Sequence, residues 1–162
     1  MVIFSYLGIY DGQNFEIANT PNQIGTALNH GFSCMINVWR LSNKLYVGTI
    51  NAPIEVTEKY LQGSRFIINA MNTDMYNWLL TQPAKLYPNF FQFPTPSENT
   101  NVTTSAGQLI TPGSVPVNTS SIVYLPEITD RGLFSTVKYR CYGVISNYCT
   151  FIRRMRNEGT FY

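Results

Sequence analysis

Short runs of β-branched and aromatic residues recur along the chain, too continuous for strands with one wet face and too short for helices. They predict buried parallel strands at 2–6, 33–39, 44–47, 65–69, 89–92, 108–110, 121–125 and 142–146. Between the first two runs the period becomes helical. Asn19 or Thr20 can cap, Pro21 falls in the first turn, Ile24, Ala27 and Leu28 share one face, and Gly31 stands just past the end. Met75, Trp78 and Leu79 at i, i+3 and i+4 predict a second helix over 73–80. A third is predicted over 149–156, and 55–61 reads as a further short one.

Leu41-Ser42-Asn43-Lys44 reads as a tight turn that leaves the second and third strands antiparallel or wrapped without an intervening helix. Residues 94–121 are rich in Pro, Thr, Ser and Asn and fit no regular helix, which predicts long loops. Strands alternating with helices predict an α/β fold, and no repeat or shift of composition divides the chain, so 1–162 reads as a single domain. Eight strands suit a compact, abbreviated TIM-like (β/α)8 barrel. A complete barrel takes about 250 residues, so several outer helices must give way to loops.

Composition narrows the partners. A net charge of only +2 is too small for a surface that follows a nucleic-acid backbone or an anionic membrane. Charged residues are 12% of the chain, about half the usual share, which suits a surface buried against other proteins. Arg153, Arg154 and Arg156 form the nearest thing to a basic cluster and read as the solvated last turn of the terminal helix, with phosphate binding as the lesser alternative. Cys34, Cys141 and Cys149 are odd in number and lack CxxC spacing, predicting free, packed thiols and a reducing compartment. The first residues lack a basic segment followed by a long apolar one, and no window approaches a membrane span; a soluble protein made in the cytosol is expected. Asn101-Val102-Thr103 and Asn118-Thr119-Ser120 match the glycosylation pattern and read as coincidence in an Asn/Thr-rich stretch.

Gly31-Phe32-Ser33-Cys34-Met35-Ile36-Asn37-Val38-Trp39, followed by Asn43-Lys44-Leu45-Tyr46-Val47-Gly48, resembles the second and third strands of compact glycerophosphodiester phosphodiesterase-like proteins. Asn19-Thr20-Pro21 and Ala27-Leu28 match the preceding helix. Later echoes keep the family's order: Ile68-Asn69-Ala70-Met71-Asn72, Asn89-Phe90-Phe91, Ile110-Thr111-Pro112-Gly113, Ile122-Val123-Tyr124-Leu125-Pro126-Glu127 and Cys141-Tyr142-Gly143-Val144-Ile145-Ser146-Asn147-Tyr148.

The resemblance implies a barrel whose enzymes use one histidine as base, another as acid, and carboxylates that hold a divalent cation against the phosphate. Each of those groups has an implied position, and each is replaced. Tyr6-Leu7-Gly8 stands where His-Arg-Gly is expected, Met35 and Asn37 where Glu-x-Asp is expected, and Gly48-Thr49-Ile50 where Gly-His-Asp is expected. Met71 replaces a lysine and Asn147 a carboxylate. A thioether is no ligand for a hard cation, and a neutral amide contributes no charge. The sole histidine, His30, is expected on the surface at a helix end, and Glu127, with Asp130 and Arg131 nearby, is the one acid left near the mouth. No phosphate-binding Gly-rich loop, zinc spacing or nucleophile elbow is present.

These readings predict a pseudoenzyme with no catalytic, cofactor-binding or metal-binding residues, no cofactor, and other proteins as partners. The sparse charge, the Asn/Tyr/Thr-rich and His-poor composition and the trimming resemble captured proteins of large DNA viruses, implying a minor capsid or other virion component, or otherwise a cytoplasmic protein. The alternative is a pseudoenzyme that keeps a phosphate- or sugar-recognising pocket. The long loops at 94–121 and the aromatics Tyr87, Phe90, Phe91, Phe93, Phe161 and Tyr162 are the expected contact surfaces, with Phe90 and Phe91 alternatively in the core of the fifth strand.

Overall fold

Backbone pairing of the apolar runs organises the chain. A computed structural model describes residues 1–12, 14–92, 101–112, 117–125 and 140–159. Its strands are β1 (Val2–Tyr6), β2 (Ser33–Leu41), β3 (Lys44–Thr49), β4 (Ala52–Val56), β5 (Phe66–Ala70), β6 (Phe90–Gln92), β7 (Val102–Thr103), β8 (Leu109–Pro112), β9 (Ser121–Tyr124) and β10 (Gly143–Ser146). Seven run parallel in the order β6-β5-β2-β1-β10-β9-β8. The antiparallel pairs are β2 with β3, β3 with β4, and β7 with β8.

Three helices pack on this sheet. In α1 (Pro21–Asn29) the Thr20 hydroxyl accepts from the Gln23 amide at 3.3 Å, and Pro21 occupies a first-turn position where no donor is missed. Asn72 caps α2 (Thr73–Thr81) by accepting from the Met75 amide at 3.2 Å. The last helix, α3 (Cys149–Asn157), buries Cys149, Ile152 and Met155 along one face.

Both faces of the parallel strands are buried, as their continuous apolar runs require. Along β2, Cys34, Ile36 and Val38 pack with Ile24 and Ala27 of α1 and Met75 and Leu79 of α2. On β1, β9 and β10, Ile3, Val123 and Val144 pack with α3. The opposite face gathers Phe4, Met35, Ile67, Phe91, Ile110, Ile122 and Ile145, one from each parallel strand, into a single cluster. No strand pairing joins β6 to β7 or β8, so the ladder is open there among the described residues. Hydrogen bonds cross that gap: the Ser105 amide donates to the Phe90 carbonyl at 2.8 Å, the Phe90 amide to Ser105 Oγ at 2.9 Å, and Asn89 Nδ2 to Gln108 Oε1 at 2.7 Å.

The fold is therefore mixed α/β, with a ten-stranded sheet and three α-helices among the described residues. Two expectations are corrected and one open alternative is decided. The run at 44–47 takes the antiparallel arrangement that its turn allowed, so it is not one of the parallel strands. Ser42 and Asn43 both take left-handed φ, 49° and 64°, in a two-residue turn that reverses the chain. A parallel return needs a crossover of a dozen or more residues. The short helix expected at 55–61 shrinks to a 3-10 turn at Lys59–Leu61, because 52–56 pairs with β3 as an edge strand that tolerates Pro53. Tyr87 is a core residue, not an exposed aromatic, and Phe90 and Phe91 take the alternative place expected for them, in the core. Tyr87 packs edge-on against Trp78 and donates its hydroxyl to the Glu58 carbonyl. Phe93, Phe161 and Tyr162 lie outside the described residues, as does much of 94–121.

Candidate functional site

Where β1 ends, the chain turns through Leu7 and Gly8, both in left-handed conformations with φ of 56° and 81°. For leucine this geometry costs about 1 kcal/mol or more. Two backbone bonds hold it: the Leu7 amide donates to the Met35 carbonyl at 2.8 Å, and the Leu7 carbonyl accepts from the Asn19 amide at 2.7 Å. Gly8 cannot be anything larger, since a Cβ there would lie 2.9 Å from the Ile24 nitrogen. Gly48, at φ 86°, would place a Cβ 2.6 Å from the Ala52 carbonyl oxygen. Backbone geometry thus requires glycine at both positions.

Asn19 ties these segments together. Its Nδ2 donates to the Asn37 and Gly48 carbonyls at 2.8 and 2.9 Å, and its Oδ1 accepts from the Asn37 amide at 2.9 Å. Its own carbonyl accepts from the Gly48 amide at 2.8 Å. The cap of α1 is Thr20, and Asn19, buried at φ 60°, is instead the joint between the β1–α1 turn, β2 and β3.

Around this joint lies an apolar depression of about 360 Å³, formed by Leu7, Phe15, Ala18, Trp39 and Ile50 with Asn37 and Thr49. Phe15 and Ile50 are 52% and 57% exposed on its rim. Leu7, Asn37, Thr49 and Ile50, each at a position where the resemblance implies a charged or titratable side chain, come together here. Tyr6 packs edge-on against Tyr124, and Met35 is fully buried in the seven-strand cluster. Met71 and Asn147 do not line the depression. Phe15 gave no signal in the sequence, because it belongs to no periodic segment, and Ile50 stood out only through the resemblance, not as an exposed apolar residue.

Amides occupy the interior beside these residues. Asn37 Oδ1 accepts from Asn69 Nδ2 at 2.9 Å, which leaves Asn69 Oδ1 buried without a partner. Asn147 is fully buried, and neither of its side-chain polar atoms has a partner, although its carbonyl accepts from the Gly12 amide at 2.9 Å. Neutral amides can occupy such places where carboxylates could not do so without a cation. Among the described residues no group of three His, Cys, Asp or Glu could hold a metal ion.

His30 caps the far end of α1, stacked on Tyr10 with ring centroids 4.7 Å apart, and takes no part in the depression. Glu127, Asp130 and Arg131 lie outside the described residues. The three cysteines are free and buried, and burial raises each thiol pKa. Cys34 is pushed up to about 11, opposed in part by the Ser5 hydroxyl that donates to its sulfur at 3.0 Å. A thiolate is the reactive form. At about pH 8 the folded protein is expected to resist a thiol-specific reagent, with all three cysteines reacting once denaturant is added; prompt labelling of the native chain would contradict this.

No described helix is long and apolar enough to cross a membrane. No family model, curated protein or solved structure matches this chain.

Proposed function

We propose that this chain is a non-catalytic assembly protein, built on an abbreviated TIM-like barrel of the phosphodiesterase type that has lost its catalytic and metal-binding groups. The observation that carries this reading is the depression beside Asn19. The backbone turns there through Leu7, Gly8 and Gly48, and the side chains at the positions the resemblance implies for the site are Leu7, Asn37, Thr49 and Ile50. None of these can act as acid or base at neutral pH, and none brings a negative charge to a cation. Two features support the barrel: each parallel strand sends one side chain into a common cluster, and Ser105 and Gln108 bridge the open ladder.

An apolar rim with exposed Phe15 and Ile50 suits contact with another protein. Together with the sparse charge, it supports a role in a larger assembly, for which a minor capsid or other virion component is the specific proposal. With a generic phosphodiester and Mg²⁺ or Ca²⁺ the chain is expected to give no turnover above buffer. Turnover abolished by Glu127→Gln would overturn the reading. Fractionation of source material at native abundance is expected to place the chain in large particles, and a purely monomeric pool would refute the assembly role.

A further inference from the structure

A second depression, of about 220 Å³, lies at the starts of β1 and β2, at the opposite end of β1 from the apolar one. Met1, Val2, Phe32 and Ser33 line it together with Arg153 and Arg156 of α3. Both guanidinium groups are held in place. Arg153 stacks over the Phe32 ring, its Cζ 3.8 Å from the centroid, and donates Nη2 to the His30 carbonyl at 2.6 Å. Arg156 donates Nη1 to the Met1 carbonyl at 3.2 Å. A third guanidinium approaches the same loop, since Arg65 donates Nη2 to the Leu28 and Phe32 carbonyls.

Among the described residues none of these three meets a carboxylate. The ion pairs among the described residues are Arg40 with Asp74, Lys44 with Glu55, and Arg154 with Glu158. Arg154 also borders a different depression with Asp11. The basic stretch of α3 thus divides in two: Arg154 is paired, while Arg153 and Arg156, three residues apart on one helical face, are oriented without a counter-charge among the described residues. Like charges at this spacing repel. A backbone carbonyl engages only one of the five N–H donors on each guanidinium and neutralises none of its charge.

We propose that this depression binds a phosphate group, as inorganic phosphate or a phosphomonoester. Two fixed guanidinium forks need more acceptor oxygens than a carboxylate offers, and a tetrahedral oxyanion serves both. The stacking of Arg153 on Phe32 and the anchoring of Arg156 reduce the ordering required on binding. The site is separate from the apolar depression and does not depend on how that surface is used.

The test is a titration of the ¹⁵N-labelled full chain with inorganic phosphate, against sodium chloride of equal ionic strength, following the Arg Nε–H and the Gly31, Phe32 and Ser33 amide signals. Saturable shifts confined to phosphate are expected, with a Kd on the order of 1 mM. Arg156→Gln is expected to weaken binding about tenfold. Arg153→Lys keeps the charge and the apolar stem but loses the fork, and is expected to weaken it several-fold. Arg154→Gln should leave it unchanged. Chloride reproducing the shifts, or binding that survives both Arg156→Gln and Arg153→Lys, would overturn the proposal. A parallel arm with phosphatidic acid vesicles separates the sources. Arg156-dependent sedimentation with vesicles supports a lipid headgroup, and its absence beside phosphate binding supports a free solute.

Discussion

Replacing Asn19 by alanine is expected to lower the unfolding free energy by about 4 kcal/mol, the largest effect of any single polar side chain described here. Three side-chain hydrogen bonds vanish, at about 1 kcal/mol each, and the Asn37 amide and the Asn37 and Gly48 carbonyls lose their Asn19 partner near the core. A further contribution of about 1 kcal/mol comes from the backbone, since alanine tolerates φ of 60° less well than asparagine. Denaturant unfolding of Asn19→Ala beside Asn19→Gly separates the two terms. Glycine loses the same bonds but not the conformational freedom, so it is expected to be about 1 kcal/mol less damaging. Equal losses would remove the strain term, and a loss below about 1 kcal/mol for both would show that the joint is dispensable.

Met35→Glu is expected to destabilise the fold by about 4 kcal/mol or more at neutral pH. Met35 is fully buried among Phe4, Ile67, Phe91, Ile110, Ile122 and Ile145, with no cation facing it in that cluster. The introduced carboxyl would have a folded pKa raised above its unfolded value of about 4.3, so it stays protonated in the fold while the unfolded chain ionises. The resulting penalty is absent below the unfolded pKa and grows as pH rises toward the folded one. The gap between variant and parent should therefore be small at about pH 4 and wide at about pH 8, measured as paired unfolding midpoints. Met35→Leu, similar in volume, should cost under about 1.5 kcal/mol. Millimolar Mg²⁺ should not rescue the glutamate variant, because Asn37 and Thr49 add no charge. Rescue by Mg²⁺ would reveal a cation site and undo the non-catalytic reading.

Much of the scaffold could be read from residue types because burial on both faces leaves an unbroken apolar run. Val2 to Tyr6, Ser33 to Val38 and Phe66 to Ala70 carry that signal plainly, and Pro21 with Thr20 marks a helix start by chemistry that needs no tertiary partner. The Ser42-Asn43 turn was legible as a reversal, but which neighbour the following strand would take was not, since that depends on whether two residues can carry a crossover. Burial of Tyr87 was hidden in the same way. Its surroundings, Trp78 from α2 and Glu58 beside the 3-10 turn, are distant in sequence. Asn19 was seen as a possible cap because Asn before Thr-Pro carries that signal. Its bonds to Asn37 and Gly48 exist only once three segments have met. The resemblance could name Leu7, Met35, Asn37, Thr49 and Ile50 one by one, but only the fold shows that Leu7, Asn37, Thr49 and Ile50 share one surface while Met35 lies in the core.

The strand nearest the start of the chain lies between β2 and β10, and Val2 pairs with Gly143. During synthesis one flank of β1 can be covered as soon as β2 emerges, while the other must wait for β10. That flank presents unpaired amides and carbonyls in the interval. Sheet completion is thus tied to a contact of long sequence separation, which slows folding and lengthens exposure to aggregation. A ribosome stalled before Gly143 would hold a chain lacking both β10 and α3, so that flank of β1 stays unpaired until β10 has been made.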